Sequence, residues 1–336
     1  MTVDASGSSR PAAAPAAGTR DPAQPSTEGH EGVVIGAFAR AFGERERKPQ
    51  DIPDFERLWN DRSPDTDFTA MGCGTFRTMT RPIEEYVREA VGATLRTGSV
   101  PADRVDRIVF ATSDARLGSL GPDFAARVLD GLGLVHCVPQ VISFQQCCGS
   151  LTALAQGWAE LRDPAVRNVV VVSLDFTPED ADRVRPFALF SDAVVSCLIT
   201  REAALDGTGP VRLLSSAVGL DHAGLLGQDS FLSRQKVAQA AYARVLGEGR
   251  RLDDVTKVFP TNLYAPVTLF NTTMAGVDRD RLHFTDTLAA YGHCGNSDWM
   301  INLVDYHQAV GIRAGELYLA QSSAPGFFAC GLLAGA

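Results

Sequence analysis

The sequence is poor in lysine, with three lysines against 28 arginines in 336 residues, and acidic side chains outnumber basic ones to give a formal net charge of −9. A chain of this charge lacks the basic face that nucleic acid or an anionic membrane requires of its main partner. It also lacks an apolar run of the ~18 residues that a membrane-spanning helix needs. We therefore expect no nucleic-acid partner and no membrane partner.

The seven cysteines show no CxxC pair and no His/Cys cluster with the spacing of metal ligands. There is no secretory signal, so we expect reduced thiols and a cytoplasmic protein. Neither a GxGxxG motif after the first predicted strand nor a P-loop is present, which argues against a nucleotide-dependent oxidoreductase. The sequence predicts neither a metal site nor a bound cofactor.

Two kinds of segment divide the chain. Residues 1–30 are mostly Ala, Pro, Ser, Gly and Thr without apolar periodicity, and they predict a disordered tail. Residues 31–205 and 206–336 each alternate short β-rich runs with helical patterns, in two successive βαβαβ-like halves. This order predicts a layered α/β fold with an internal duplication.

The predicted elements follow from apolar periodicity. In the first half the strands are 32–38, 107–112, 141–146, 169–174 and 193–199, and the helices are 83–95, 122–132 and 148–162. In the second half the strands are 211–217, 255–260, 317–321 and 327–333, and the helices are 236–246, 266–275 and 299–310. The 169–174 and 193–199 runs are apolar on both faces, as expected for strands buried between helices.

Cys147 is the most informative candidate for chemistry. The predicted strand before it and the predicted helix after it place its thiol at a strand-to-helix corner. The dipole at a helix N-terminus favours the nucleophilic thiolate, which can take an acyl group from a thioester and hold it covalently. A small buried core residue is the alternative interpretation, since free cysteine packs as a small apolar side chain.

Four segments together resemble the thiolase superfamily, specifically its β-ketoacyl-acyl-carrier-protein synthase III (ketosynthase III) branch. Arg77–Thr112 resembles the family's first helix, turn and strand, and Gln146-Cys-Cys-Gly149 is similar to its nucleophile motif Ala-Cys-Ser-Gly. Phe190-Ser-Asp-Ala193 is similar to Phe-Gly-Asp-Gly, and Ser323–Gly331 resembles the glycine-rich end that completes the oxyanion hole. The resemblance covers residues 31–336. It implies a thiolase fold of αβαβα layers with Cys147 as nucleophile.

The chain departs from that family at the other two catalytic positions. Thr261 follows Pro260, where the family has the histidine of a Pro-His-Gln motif. In the segment Gly292-His-Cys-Gly-Asn-Ser-Asp298, a gapless alignment puts His293 in place of the family's asparagine. A three-residue shift instead lets Asn296 supply that asparagine. We favour the gapless register because it keeps the following apolar helix in phase.

These departures change the expected chemistry. A decarboxylative condensation needs strong donors for an enolate, whereas acyl transfer needs a thiolate, an oxyanion hole and one base. We expect His293 to be that base, and Cys147 and Gly326 to supply oxyanion N–H groups. Asp298 either orients His293 or caps the next helix. Thr261 donates a weak hydrogen bond or fills space, and Asn296 is a substrate donor or a turn residue.

The resemblance thus implies an acyltransferase of specialised, polyketide-type metabolism, including antibiotic biosynthesis, that works as a homodimer. Its acyl group would arrive as a thioester of an acyl carrier protein or of coenzyme A and pass through Cys147 to an oxygen or nitrogen of a small-molecule acceptor. One alternative is a decarboxylative β-ketoacyl synthase that forms a carbon–carbon bond. Another is an inactive thiolase-fold partner subunit.

Overall fold

A computed structural model of the protein describes residues 32–64, 66–113, 121–201, 205, 209–228 and 230–336. The predicted tail, residues 1–30, lies outside the described residues, as do residues 206–208 at the predicted boundary between the halves. That boundary stays a prediction.

The described residues form eleven strands and ten α-helices. The strands are β1 Val34–Phe42, β2 Arg45–Arg47, β3 Phe76–Thr78, β4 Arg107–Ala111, β5 Val138–Ile142, β6 Asn168–Asp175, β7 Ala193–Thr200, β8 Val211–Leu220, β9 Val255–Phe259, β10 Leu317–Ala324 and β11 Phe327–Gly335. The helices are α1 Phe55–Arg62, α2 Ile83–Thr97, α3 Gly121–Leu132, α4 Gly149–Glu160, α5 Asp180–Arg183, α6 His222–Leu225, α7 Phe231–Leu246, α8 Ala265–Met274, α9 Thr285–Tyr291 and α10 Asp298–Ala309.

The order of the strands shows the internal duplication. Nine strands of the described chain hydrogen-bond in the series β5-β4-β6-β7-β1-β8-β11-β10-β9. In the first half β1, β7 and β6 are successively antiparallel, and β6 is parallel to β4. In the second half β8, β11 and β10 are successively antiparallel, and β10 is parallel to β9. The halves meet between β1 and β8 at the pair Ile35 and Val211.

The layers follow from which faces are buried. Along β6, Val169 and Val171 pack with α4 and α10, whereas Val170 and Val172 pack with α2. This alternation is the period-2 geometry of a strand buried on both faces. In the second half, α7 packs on the outer face of β8 and β11. The layers therefore run α2/α3, first sheet half, α4/α10, second sheet half, α7/α8, which confirms the αβαβα thiolase fold.

Most predicted elements are present, with three differences. The strand predicted at 141–146 is Val138–Ile142, so it ends five residues before Cys147. The helix predicted at 236–246 begins at Phe231, because the Ser230 hydroxyl caps its first turn. Helices α1, α5, α6 and α9 and the small β2–β3 sheet were not predicted.

Candidate active site

Cys147 lies in the middle layer of the fold, just ahead of α4. After β5 the backbone passes through Phe144 and Gln146, which have φ of 64° and 48°, and a 3-10 turn over Gln146–Cys148 leads into the helix. A left-handed conformation is costly for residues with a Cβ and clusters at functional sites. The predicted strand-to-helix corner is therefore a strained loop and a 3-10 turn, and it leaves Cys147 7% exposed.

The structure brings His293 and Asp298 to Cys147 across 146 residues of sequence. The Cys147 Sγ lies 3.3 Å from His293 Nε2, and His293 Nδ1 lies 2.5 Å from Asp298 Oδ2. Both the imidazole and the carboxylate are fully or almost fully buried. The thiol, the imidazole and the carboxylate form one continuous chain of contacts, an arrangement that in enzymes can activate a nucleophile through a base and an orienting carboxylate.

Asp298 is held so that it faces His293. Its Oδ1 accepts the Cys294 N–H at 2.7 Å, and its Oδ2 also accepts the Asn262 N–H at 2.8 Å. Although Asp298 begins α10, its side chain makes no capping hydrogen bond to that helix. Asn262 and Cys294 thus support the site through their backbone, a role that their side-chain identities in the sequence do not reveal.

The charge state of His293 follows from these neighbours. Burial acts to lower the pKa of His293, but the Asp298 carboxylate and Cys147 outweigh it and raise that pKa well above the ordinary histidine value. The raised pKa favours the imidazolium form, in which one N–H is directed at Asp298 and the other at the sulfur. An imidazolium in that position stabilises a thiolate.

The backbone around His293 is tied to the loop before β7. Its N–H donates to Leu189 O and its C=O accepts the Ser191 N–H, each at 2.8 Å. The Phe190 ring meets the imidazole edge to face at 4.7 Å between centroids. The carboxylate of Asp192, bound by the buried guanidinium of Arg183 at 2.7 Å, secures this loop.

A cavity of about 330 Å³ opens onto the sulfur of Cys147 and onto His293. Phe187 and Phe190 line this cavity, and Phe231 lines a smaller adjoining pocket. The remaining wall residues are Gln146, Gly224, Gly227, Arg234, Leu263, Val267, Asn271, Ser323, Ala324 and Pro325. The site can therefore admit a small organic group with both apolar and polar parts.

Thr261 and Gly326 lie beside the end of β10, whose residues Ser323 and Ala324 line the cavity. The Thr261 hydroxyl oxygen accepts the Ser323 N–H at 2.9 Å, so Thr261 holds the strand end that carries the cavity wall. Gly326 has φ +76°, and a Cβ there would lie 2.6 Å from the backbone N of Leu225. Only glycine fits this turn. The oxyanion role of Gly326 and the catalytic role of Thr261 stay predictions.

Asn296 lies in the same layer but faces other partners. Its Oδ1 accepts the Ser150 N–H at 2.9 Å, and its Nδ2 donates to Asp175 Oδ1 at 3.3 Å. One of the first N–H groups of α4 is thus already bound by a side chain. In this conformation the Asn296 amide is hydrogen-bonded to the Ser150 backbone and to the Asp175 carboxylate. Its role as a hydrogen-bond donor to substrate stays a prediction.

Neither a metal cluster nor a membrane helix is found in the part of the chain that the structure describes. No group of three His, Cys, Asp or Glu side chains there is arranged to hold an ion. None of its helices combines the length and the apolar character that crossing a bilayer requires. All seven cysteines are free thiols.

By sequence, no protein-family profile and no curated protein match the chain. By structure, it is similar to cerulenin-bound OleA from Xanthomonas campestris, with a TM-score of 0.73 and 13% identity over 90% of this chain and 96% of that one. It is similar to the acyltransferase ChlB3, with a TM-score of 0.73 and 16% identity over 90% and 97%. It is also similar to 3-oxoacyl-[acyl-carrier-protein] synthase III from Aquifex aeolicus, with a TM-score of 0.69 and 16% identity over 90% and 100%. The chain therefore has the thiolase fold of ketosynthase III-type proteins.

Proposed function

We propose that the protein is an acyltransferase that takes an acyl group from a thioester onto Cys147 and passes it to an oxygen or nitrogen nucleophile. The observation that carries the proposal is the buried chain of contacts from the Cys147 sulfur through His293 to Asp298. This set supplies a nucleophile and a single base, which is what acyl transfer requires.

In the first half-reaction the Cys147 thiolate attacks the thioester carbonyl and forms a tetrahedral oxyanion. As that intermediate collapses, the bond to the donor's sulfur breaks, and the leaving thiolate takes the proton from His293 Nε2. The products are acyl-Cys147, the free donor thiol and a neutral imidazole. Asp298 keeps the remaining proton on Nδ1, so Nε2 now has its lone pair free toward the cavity.

In the second half-reaction an acceptor hydroxyl or amine attacks the acyl-Cys147 carbonyl while His293 Nε2 takes its proton. The Cys147 thiolate then leaves, and the thiolate–imidazolium pair is restored. Each proton that His293 gives up in the first half-reaction returns in the second. The cycle needs no cofactor.

A carbon–carbon condensation fits the site less well. That reaction generates an enolate, which needs preorganised donors aimed at the developing charge. Thr261 stands where the family that the sequence resembles has its histidine, and its oxygen accepts from Ser323, while the amide of Asn296 is bound to Ser150 and Asp175. His293 alone would have to polarise the donor and serve as base.

We further propose that the donor is a thioester of an acyl carrier protein or coenzyme A and that the acceptor is a small molecule of specialised metabolism. The mixed apolar and polar lining of the 330 Å³ cavity suits an acyl group beside a polar acceptor. The synthase from Aquifex aeolicus, which shares the fold, carries the acyl carrier protein in its name.

A homodimer is the assembly that the sheet edge supports. β5 is the last strand of the described sheet, and Val138, Val141 and Phe144 expose 48%, 62% and 85% of their surfaces beside it. An apolar edge strand of this kind favours pairing with a second copy. We expect a solution mass of twice 35.9 kDa by light scattering, and a monomer for Val141→Lys. A monomeric parent protein would contradict this.

Intact-mass spectrometry with a panel of acyl thioesters of coenzyme A and of phosphopantetheine tests the first half-reaction. We expect a mass increase equal to the acyl group, absent in Cys147→Ala and retained in Cys148→Ala, the adjacent control. If no donor in the panel acylates the protein, the inactive-partner interpretation replaces this proposal.

A further inference from the structure

Asp175 is a buried carboxylate that the proposed reaction does not use. It is the last residue of β6, 4% exposed, and 28 residues from Cys147 in sequence. Burial raises the pKa of Asp175, and hydrogen bonds from Ser113 and Asn296 oppose that rise. A buried carboxylate is tolerated only when hydrogen-bond donors satisfy it. The donors that surround Asp175 therefore indicate which parts of the structure it holds in place.

Those partners lie on two different segments. Asp175 Oδ1 accepts the N–H of Ser113 at 2.9 Å, together with that residue's hydroxyl and the Asn296 Nδ2. Asp175 Oδ2 accepts the Asn296 N–H at 2.6 Å. The approach is close enough to require glycine at residue 295, because a Cβ there would lie 2.5 Å from Asp175 Cγ, and its φ is +58°.

The carboxylate decides which way the Asn296 amide faces. A carboxylate can only accept hydrogen bonds, so the Nδ2 end of Asn296 must point to Asp175 and the Oδ1 end must point away from it. Oδ1 then accepts the Ser150 N–H at 2.9 Å, in the first turn of α4. The reversed amide would set its NH₂ against the Ser150 N–H, two donors facing each other.

This amide links the nucleophile segment to the base segment. Ser150 follows Cys147 by three residues, and Asn296 follows His293 by three residues. The Ser150 hydroxyl adds a second bond between the two segments, since it donates to Asn296 O at 2.7 Å and accepts the Trp299 indole N–H at 2.8 Å. The two turns that carry the reacting side chains are therefore joined directly.

We propose that Asp175 is a positioning residue: by fixing the Asn296 amide against Ser150, it sets the 3.3 Å contact between Cys147 Sγ and His293 Nε2. The inference rests on the proposed function in taking that contact to be the reacting pair. In Asp175→Asn an NH₂ group takes the place of one carboxylate oxygen. Each of those oxygens accepts a hydrogen bond from Asn296, one from its backbone N–H and the other from its side chain. The new NH₂ therefore faces an Asn296 donor in either orientation, and that part of Asn296 must move.

The test is the rate of Cys147 alkylation by iodoacetamide between pH 5 and 9, measured on the full chain beside its thermal midpoint. We expect Asp175→Asn to lower the rate at pH 6–7 at least tenfold and to move the profile to higher pH, because the imidazolium no longer contacts the sulfur. Ser173→Ala is the matched control, because Ser173 lies on the same strand as Asp175. Its loss removes a hydrogen bond to Ser297, which belongs to the same turn as Asn296. We expect it to lower the midpoint and to leave the profile within twofold of the parent.

A second variant decides the matter if Asp175→Asn does not fold. Asn296→Ala leaves Asp175 its two Ser113 donors and the residue 296 N–H, and removes only the amide between Asp175 and Ser150. We expect the same loss of reactivity at pH 6–7. A parental alkylation profile in Asn296→Ala, or in folded Asp175→Asn, overturns the proposal. Because alkylation needs no acyl donor, this outcome is separate from failure of the acyltransferase function, which the mass measurement with thioesters detects.

Discussion

Replacing Asp298 with asparagine removes the charge beside His293 while keeping nearly the same side-chain volume. The carboxylate accepts three N–H groups, from His293 at 2.5 Å, Cys294 at 2.7 Å and Asn262 at 2.8 Å. An asparagine has one acceptor oxygen, so its NH₂ group either faces one of these N–H donors or donates a hydrogen bond to a deprotonated His293 Nδ1.

The reversed arrangement has a defined chemical consequence. If the asparagine NH₂ donates to His293 Nδ1, the neutral imidazole must carry its proton on Nε2, the atom that faces Cys147. That tautomer cannot accept a proton from the acceptor nucleophile. The pKa of His293 also falls, because burial continues to lower it and the opposing carboxylate is gone.

The size of the effect can be set from these contacts. Losing a charge-assisted hydrogen bond costs about 1.5–3 kcal/mol, which is roughly 10- to 150-fold in rate. That loss applies to the acylation of Cys147, whose rate at pH 7 we therefore expect to fall about 10- to 150-fold. The wrong tautomer acts on the second half-reaction, in which Nε2 must accept a proton, as the corresponding change in serine-protease triads does with a fall of about 10⁴.

The assay is single-turnover acylation followed by intact mass, with the thermal midpoint as a check on folding. His283→Asn is the control, because His283 forms a His–Asp pair with Asp305 at 2.8 Å outside the cavity wall. We expect that control to acylate at the parental rate. An acylation rate for folded Asp298→Asn within threefold of the parent protein refutes the role given to the carboxylate.

Three further predictions concern backbone strain and pH. Gly326→Ala should lower the unfolding free energy by at least ~1 kcal/mol and slow acylation, because φ is +76° and the new Cβ would contact the Leu225 backbone. Denaturant titration measures the unfolding free energy, and an unchanged denaturation midpoint would contradict this prediction. Gln146 has a φ of 48°, which glycine adopts without strain, so Gln146→Gly should raise the unfolding free energy by up to ~1 kcal/mol. The same change should slow Cys147 acylation, because the turn would hold the thiol less firmly. A variant that is acylated faster than the parent would contradict a role of the strained turn in positioning the thiol. The pKa of His293 is raised on folding, so its stabilising contribution is complete below its unfolded pKa, ~6.5, and is lost as pH rises through its folded pKa. The difference in unfolding free energy between the parent and His293→Gln should therefore shrink from pH 6 upward, and a difference that grows with pH contradicts the raised pKa.

Much of the fold could be predicted from apolar periodicity, because strands buried on both faces, such as β6 and β7, have continuous apolar runs. The loop before Cys147 could not. Val141-Ile-Ser-Phe has the composition of a strand, but Phe144 takes a left-handed conformation that its residue type does not indicate. Helix α9, Thr285–Tyr291, is too short for its period to be recognised.

The site divides in the same way. Cys147 was predicted from its place between a predicted strand and a predicted helix and from the resemblance to a known motif. His293 was predicted from that resemblance alone, and the choice of register depended on the phase of the following helix. Two roles for Asp298 remained open, because aspartate is also a preferred capping residue at the start of a helix. Asp175 was missed. The only signal in the sequence was an acidic residue ending a strand that is otherwise apolar, and its purpose depends on Asn296, 121 residues away.

In the proposed mechanism, His293 takes the proton of an oxygen or nitrogen acceptor as that acceptor removes the acyl group from Cys147. The most direct test is to isolate the acyl-enzyme and follow its mass after adding an amine or alcohol probe, such as ethanolamine, or malonyl-coenzyme A. We predict that the probe removes the acyl group with a rate that depends on neutral imidazole, and that His293→Gln stays acylated. Release of carbon dioxide and a β-keto product with malonyl-coenzyme A, while the probe leaves acyl-Cys147 intact, would contradict the account in favour of a condensing enzyme.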